Sequence, residues 1–166
     1  HAVKKEQPGW RADSGPIVVV GAGGGSRAVC YGLAQEGAQE IRLVNRTLDR
    51  AKGIAEQFGG PIKALPWEQR HDALEGAAMV VNTTSCGMVG QGALDIKLEK
   101  LPKTALAADI IYIPLETPFL AAARRRGNRT VNGLGMLLNQ GRPAWKAWFG
   151  IEPEVTAELR AMVERT

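Results

Sequence analysis

One stretch near the start of the chain constrains its fold more than any other. Residues 17–20 read Ile-Val-Val-Val, and residues 21–26 continue as Gly-Ala-Gly-Gly-Gly-Ser. A short run that is apolar on both faces predicts a strand buried inside a parallel sheet. Glycines placed between such a strand and a helix predict a turn that lets backbone N–H groups approach a phosphate at the helix N-terminus.

Strands and helices alternate along the rest of the chain. The predicted strands are 17–20, 41–44, 62–65, 77–81, 105–112 and 130–131, and the predicted helices are 27–36, 47–58, 67–74, 118–126, 134–149 and 153–165. This alternation predicts an α/β fold with a Rossmann-like doubly wound, mainly parallel sheet and helices on both of its faces.

The pattern also divides the chain into three segments. Residues 1–15 are polar and lack periodicity, which is typical of a linker or of the remnant of an interdomain connection. Residues 16–150 form the predicted Rossmann domain. Residues 151–166 predict a C-terminal amphipathic helix, because their apolar side chains recur at helical spacing. The chain begins with His rather than Met, and we expect it to start inside a longer protein or after processing or removal of a tag.

Composition excludes several classes of protein. At 166 residues, 45% of them hydrophobic and 23% charged, the chain suits one globular domain. No apolar stretch approaches the roughly 18 residues of a membrane span. Cys30 and Cys86 lie far apart without a C-x-x-C pattern, so we predict neither a metal site nor a disulfide. Reduced thiols and the lack of a secretory signal predict a cytoplasmic protein.

The formal net charge is +4, and the location of the basic residues along the chain indicates which ligand they could bind. A dinucleotide domain specific for NAD presents Asp or Glu at the end of its second strand. Here that strand ends in Asn45-Arg46-Thr47, with Arg50 one turn later. Two guanidinium groups can face a 2′-phosphate, which favours NADP over NAD. The alternative is that Arg46 and Arg50 are ordinary solvated charges.

The longest basic run, Arg124-Arg125-Arg126, stands at the end of a predicted helix. Cations there complement the helix dipole, so we interpret the run as a solvated helix terminus and expect neither nucleic acid nor membrane as a partner. Ligands of a parallel sheet bind beyond the carboxyl ends of its strands. The segments at those ends are 21–26, 45–50, 82–88, 109–112 and the residues after 131.

Motifs at these strand ends stand in one order along the chain. They read GAGGGSRA at 21–28, NRT at 45–47, NTTSCGM at 82–88, DIIYIPLETPFL at 109–120 and NGLGMLLNQ at 132–140. With this set, over about residues 10–165, the chain resembles the shikimate dehydrogenase family. The NTTSxGM and YxPxxTP segments carry most of the resemblance, and only the C-terminal, NADP-binding half of that family is matched.

The resemblance implies the reversible, NADPH-dependent reduction of 3-dehydroshikimate to shikimate in aromatic amino-acid biosynthesis. It also implies roles for individual residues. The pyrophosphate would be held by Gly21, Ala22, Gly23, Gly24, Gly25 and Ser26, and the 2′-phosphate by Asn45, Arg46, Thr47 and Arg50. The cofactor cleft would be lined by Thr83, Thr84 and Ser85, and the nicotinamide flanked by Ile110, Gly133 and Met136. The substrate would be reached by Tyr112 and Gln140.

The family's catalytic lysine and aspartate belong to its N-terminal domain and have no matching position here. Lys4, Lys5 and Asp13 lie outside the motif, so we assign no catalytic residue. Because ketone reduction needs a proton donor within about 3 Å of the alkoxide, we predict that the isolated chain binds NADP(H) and turns over shikimate poorly or not at all. The missing catalytic domain is the expected partner, and the C-terminal helix is expected to pack toward it.

Two departures from the family leave the substrate open. Gly141-Arg142-Pro143 interrupts a helix that the family continues, and proline there predicts a kink or a restart. Asn132 stands where the family often has Asp. A quinate-type dehydrogenase half therefore remains an alternative, as does a non-catalytic NADP-binding module. The YxPxxTP and GxxMLxxQ segments speak against a related Rossmann unit such as a glutamyl-tRNA reductase or methylene-tetrahydrofolate dehydrogenase domain.

Some of these side chains also have purely structural interpretations. Met136 could be a core residue of an apolar helix, Tyr112 a surface aromatic at a strand end, and Gln140 a solvated helix residue. Trp145 and Trp148 are predicted to be packing residues.

Overall fold

The computed structural model describes residues 2–165, and its centre is a six-stranded sheet. The strands are β1 (Ile17–Val20), β2 (Ile41–Asn45), β3 (Ile62–Pro66), β4 (Met79–Asn82), β5 (Leu106–Asp109) and β6 (Arg129–Val131). They lie in the order β3-β2-β1-β4-β5-β6, and every neighbouring pair is parallel. The predicted Rossmann-like α/β fold is confirmed.

Six helices accompany the sheet in residues 2–165. They are α1 (Ala2–Glu6), α2 (Gly24–Gln35), α3 (Leu48–Phe58), α4 (Pro118–Arg125), α5 (Leu134–Phe149) and α6 (Ala157–Glu164). The helix predicted over 67–74 is instead two short 3-10 turns, Trp67–Gln69 and Asp72–Leu74. No helix within residues 2–165 has the length and apolar character needed to cross a membrane.

Side chains alternate between the two faces of each strand and feed two apolar layers. On one face, Ile17 and Val19 pack with residues of α2 and α3. On the other, Val18 and Val20 pack with α4 and with buried leucines of the segment between β4 and β5. That segment, residues 83–105, contains no helix. Burial on both faces explains why β1 is apolar throughout.

The segment before β1, predicted to be a linker, packs against the domain. α1 contacts α5, and Trp10 and Ala12 are buried in the layer that contains Val19. Its polar residues hide this packing in the sequence, because two buried side chains are too few to form a periodic pattern.

α5 also differs in detail from the prediction. α5 runs through Pro143 as one helix and ends at Gly150, which has the left-handed φ of 72° that favours glycine. Near its end Trp145 and Trp148 are 50% and 76% exposed. Their prediction as packing residues is therefore wrong. The Trp145 ring pairs with the Phe149 ring of the same helix, with centroids 4.8 Å apart.

Candidate functional site

The glycine-rich turn between β1 and α2 is closely fitted to the strand ends around it. Gly21 has a φ of +106°, and a Cβ there would come within 2.8 Å of Thr84 Cγ2. Both the backbone conformation and the contact therefore require glycine. The hydroxyl of Ser26 is buried and donates to the carbonyl of Gly23 at 2.6 Å, which closes the first turn of α2.

The outer side of the turn is open. A Cβ added at Gly23 or Gly24 would meet no atom within 4 Å, and both residues are exposed. α2 begins at Gly24 without a side-chain cap, so no capping side chain satisfies the N–H groups of its first turn. A 12-residue helix with a bare, positively polarised N-terminus can accept a phosphate there.

Asn45, at the end of β2, ties that strand to the turn. Its Oδ1 accepts a hydrogen bond from the N–H of Ala22 at 3.1 Å, and its Nδ2 donates to the carbonyl of Thr47 at 2.8 Å. The side chain is therefore committed to shaping the turn. Thr47 lies at the N-cap of α3 but makes no side-chain cap bond.

Arg46 and Arg50 follow the strand end that is bonded to this turn. Both are exposed, and neither takes part in an ion pair with any residue in the described range 2–165. By contrast, Arg42 in the same strand is paired with Glu40. Arg46 and Arg50 can thus turn toward an anionic ligand without breaking an existing contact.

The loop after β4 supports the turn from the other side. Thr83 Oγ1 donates to the carbonyl of Val20 at 2.7 Å, so its hydroxyl faces the sheet. Thr84 donates both its N–H (3.0 Å) and its hydroxyl (2.7 Å) to Oδ1 of Asn82. Of the three residues expected to line a cleft, Ser85 is the exposed one. Thr83 and Thr84 fix the position of the loop through these bonds.

A buried polar network links β4, β5 and α4. Asp109 Oδ1 accepts from Asn82 Nδ2 (3.1 Å) and from the N–H of Ile111 (3.0 Å), while Oδ2 accepts from Thr117 Oγ1 (2.8 Å). Burial raises the pKa of the Asp109 carboxyl above its ordinary value, although its three hydrogen bonds act in the opposite direction. Asp109 and Thr117 both lie in the segment 109–120, and no role was predicted for either of them.

Strand order explains why sequence reasoning missed this network. Asn82 and Asp109 are 27 positions apart and become direct neighbours only because β4 pairs with β5 in the register that places them opposite each other. The signal available in the sequence was a polar residue at the end of each of two apolar strands.

Ile110 and Gly133, two of the three residues predicted to flank the nicotinamide, are in direct contact. A Cβ added at Gly133 would lie 2.0 Å from the carbonyl oxygen of Ile110, so the two backbones touch and only glycine fits. A Cβ at Gly25 would meet Ile110 Cδ1 at 2.9 Å, which places the Ile110 side chain against the glycine turn. The strand predicted to reach Tyr112 ends at Asp109 because Ile111 turns back to bond Asp109 and Gly133.

A cavity of about 550 Å³ lies on the α2 side of this region. Its walls are largely apolar and include Val29, Ile110 and Met136. Its polar and charged residues include Asn132, Gln140 and Arg142. Tyr112 is not among the residues 2–165 that line it and is 37% exposed on the loop after β5. The two residues expected at the substrate therefore do not share this cavity.

The arrangement fits a dinucleotide phosphate. Its features are a bare helix N-terminus, small residues at the point of approach, unpaired arginines at the end of β2 and no carboxylate there. Among residues 2–165 no cluster of His, Cys, Asp or Glu could hold a metal ion. The site can bind and orient an anionic cofactor, whereas its buried carboxyl, Asp109, is only 3% exposed and fully engaged.

Known proteins resemble this chain in sequence and structure. The family model described as shikimate / quinate 5-dehydrogenase matches residues 3–110. A shikimate dehydrogenase (NADP(+)) of Nitrobacter hamburgensis is 54% identical over 157 residues, which cover 95% of this chain and 55% of that protein. The chain thus spans about half the length of such relatives.

Two solved structures extend the comparison. Quinate dehydrogenase from Corynebacterium glutamicum in complex with NAD is 28% identical with a TM-score of 0.90, and the match covers 99% of this chain and 59% of the other. Shikimate 5-dehydrogenase from Thermus thermophilus in complex with NADP(H) and shikimate is 34% identical with a TM-score of 0.78, covering 99% and 57%.

Proposed function

Since this chain belongs to the shikimate / quinate 5-dehydrogenase family, we propose that it is the NADP-binding half of a shikimate dehydrogenase. The observation that carries the proposal is the joint geometry of the glycine turn and the end of β2. There a bare helix N-terminus stands beside two unpaired, exposed arginines. A pyrophosphate and a 2′-phosphate are the anions that such a pair of sites would hold.

The chain's own residues would bind and orient the cofactor. The turn at 21–26 would take the pyrophosphate on its N–H groups, with Asn45 holding the shape of the turn. Arg46 and Arg50 would neutralise the 2′-phosphate. Ile110, Gly133 and Met136 would flank the nicotinamide, Thr83, Thr84 and Ser85 would border the cleft, and Tyr112 and Gln140 would approach the substrate from separate positions.

When bound, NADPH would supply the hydride that reduces the 3-keto group of 3-dehydroshikimate. The proton for the alkoxide must come from a positioned acid, and we assign that role to the catalytic domain that would occupy the other half of a full-length protein. The relatives, about twice as long as this chain, support that division. The isolated chain is accordingly expected to bind NADP(H) without turning over shikimate.

A quinate dehydrogenase half is the second candidate. Its support is the quinate dehydrogenase structure, whose TM-score of 0.90 exceeds the 0.78 of the shikimate enzyme from Thermus thermophilus, although the sequence identity is lower. That structure holds NAD, so the two candidates differ in the nucleotide that the end of β2 would select.

Thermal unfolding with each nucleotide tests the proposal. A ligand that binds only the native state raises its stability by about 2.7 kcal/mol at a concentration 100 times its Kd. We expect NADP to raise the unfolding temperature well above the effect of equal NAD. Arg46→Ala/Arg50→Ala should remove that difference, whereas Arg125→Ala, at an exposed site in the last turn of α4, should retain it. Equal protection of the wild-type chain by NAD and NADP would refute the NADP assignment.

A further inference from the structure

The network of Asn82, Asp109 and Thr117 joins two loops that border the proposed cofactor cleft. We propose that Asp109 is a positioning residue whose carboxylate fixes the loop after β4 and the loop after β5 as one unit, and so shapes the nicotinamide end of the cleft. The inference rests on the proposed function for the identity of the ligand. The coupling of the two loops rests on contacts within residues 82–120.

On the β4 side, the network organises the loop around one side chain. Asn82 Nδ2 donates to the carbonyl of Cys86 (3.1 Å) as well as to Asp109, and its Oδ1 accepts from Thr84. The hydroxyl of Thr84 in turn accepts from the N–H of Cys86 at 3.0 Å. Residues 83–86 are thus folded over Asn82, and Asp109 holds the amide of Asn82 in the orientation that this requires.

On the β5 side, the same carboxylate holds two further points of the chain. It accepts the N–H of Ile111, whose carbonyl is bonded to the N–H of Gly133 at 2.8 Å. It also accepts the hydroxyl of Thr117, which is the N-cap of α4 and receives the N–H of Leu120 at 3.3 Å. Residues 110–117 are therefore anchored at both ends on Asp109.

The chemistry of the network calls for a carboxylate. Three donors converge on Asp109, and a charged acceptor can satisfy all three, whereas an amide in its place would direct its own N–H₂ group at one of them. All three partners are uncharged, so the buried charge has no cation among them to offset its desolvation. Such a costly group is better explained by the position it gives to the loops than by a gain in stability.

Both loops contact the glycine turn. Thr84 lies against Gly21 and Ile110 lies against Gly25, in each case so closely that a Cβ on the glycine would come within 3 Å of the neighbouring side chain. Ile110 stands between two residues of the network, Asp109 and Ile111. We therefore expect a change at Asp109 to move Thr84 and Ile110 relative to the glycine turn, and to leave the end of β2, with its arginines, in place.

Two ligands separate positioning from general destabilisation. NADPH would extend along the whole proposed cleft, whereas 2′,5′-ADP carries only the adenosine with its 2′- and 5′-phosphates. We expect Asp109→Asn to weaken NADPH binding about tenfold, the size of one lost charge-assisted hydrogen bond, and to change 2′,5′-ADP binding by less than about twofold. Thr117→Val should act like Asp109→Asn, and Thr117→Ser should restore binding because it returns the hydroxyl.

Asn128→Ala is the matched control. Asn128 is as buried as Asp109 and also bridges segments, since its Nδ2 donates to the carbonyls of Pro102 and Ala105. These contacts lie at the amino-terminal ends of β5 and β6, whereas the proposed cleft lies at the carboxyl ends of the strands. We expect this variant to lose stability and to retain its affinity for both ligands. Equal loss of NADPH affinity in Asn128→Ala and Asp109→Asn, or unchanged affinity in Asp109→Asn and Thr117→Val, would overturn the proposal.

Amide hydrogen exchange without any ligand tests the coupling by itself. Asp109→Asn and Thr117→Val should speed exchange at Cys86 on one loop and at Ile111 and Leu120 on the other, while Asn128→Ala should leave those amides unchanged. Faster exchange on the β5 side alone would refute the joint unit. If wild-type protein binds neither NADPH nor 2′,5′-ADP, the proposed function fails, and the exchange result still decides whether Asp109 couples the loops.

Discussion

The two ends of the proposed cleft are built in opposite ways. At the phosphate end, which comprises the turn at 21–26 and the residues 45–50, open backbone and exposed, unpaired arginines face solvent. At the loop end, which comprises residues 82–88, 109–117 and 133–136, buried side chains saturate one another with hydrogen bonds and two backbones touch.

This difference separates affinity from shape. Exposed arginines cost the folded protein little and are free to add binding energy when an anion arrives. A buried network adds no ligand contact of its own but determines where the surrounding atoms stand. Substitutions at the phosphate end should therefore change binding more than stability, and those at the loop end should change stability or geometry first.

The largest effect should come from the backbone contact at the loop end. In Gly133→Ala the new Cβ would stand 2.0 Å from the carbonyl oxygen of Ile110, a backbone atom that cannot swing away. We expect a loss of about 3 kcal/mol or more in the free energy of unfolding, measured by urea denaturation. Gly32→Ala, inside α2 with no atom within 4 Å of the added carbon, should instead gain about 0.5 kcal/mol. Similar losses in both variants would contradict the close contact.

At the phosphate end the effect should appear in binding. We expect Arg46→Ala/Arg50→Ala to weaken NADP binding by about 2 kcal/mol, since a charge-assisted hydrogen bond contributes about 1.5–3 kcal/mol. The free energy of unfolding should change by less than about 0.5 kcal/mol, as for other exposed sites. Calorimetric titration and urea denaturation measure the two quantities. A stability loss that exceeds the binding loss would erase the contrast between the two ends.

A smaller effect should mark the loop end through its thiol. Cys30 is buried, and burial raises its pKa to about 12, whereas Cys86 is only half-buried on the loop that surrounds Asn82. A thiol reagent at pH 8 should modify Cys86 first in native protein, and NADPH should slow that reaction about threefold by reducing local opening of the loop. Modification of both thiols at the same rate would mean that the loop end is not a closed structure.

The smallest effect concerns the charge on Asp109. Because its pKa is raised on folding, the native state holds this proton more tightly than the unfolded chain does. Its contribution to stability is therefore greatest below the ordinary value of 3.8 and is lost as pH rises through the raised pKa. The stability of Asp109→Asn relative to wild type should accordingly rise with pH over that window and then level off. Urea denaturation from pH 4 to 8 measures it, and a flat difference would mean that the carboxyl is not shifted.

The phosphate end could be predicted from the sequence, and the hydrogen-bond network of the loop end could not. The phosphate end consists of residues that follow one strand each, so Gly21–Ser26 and Asn45–Arg50 could be assigned from local patterns. The loop end depends on which strands are neighbours. Nothing local to Asn82 or Asp109 indicates that β4 pairs with β5 in the register that joins them.

Other predictions were wrong because the burial of a side chain depends on tertiary packing and not only on the local pattern of polar and apolar residues. The polar segment before β1 places Trp10 in the core, while Trp145 and Trp148, in a helix of apolar character, stand in solvent. An amphipathic pattern predicts that a face is covered, and it does not say whether the cover is part of the same folded unit. The segment predicted as a helix at 67–74 forms two 3-10 turns of three residues each. Segments this short carry too few residues for a hydrophobic period to distinguish them from an α-helix.

The exposed tip of α5 also gives the protein an optical reporter. Of its four tryptophans, Trp10 is buried and Trp67 is half-buried beside Arg70, while Trp145 and Trp148 lie in water. Red-shifted, iodide-quenchable emission should therefore come mainly from the tip of one helix, far from the glycine turn in sequence. A polypeptide that covers the tip would shift that emission to the blue, and a nucleotide bound at the turn would leave it unchanged, so that one spectrum distinguishes the two events.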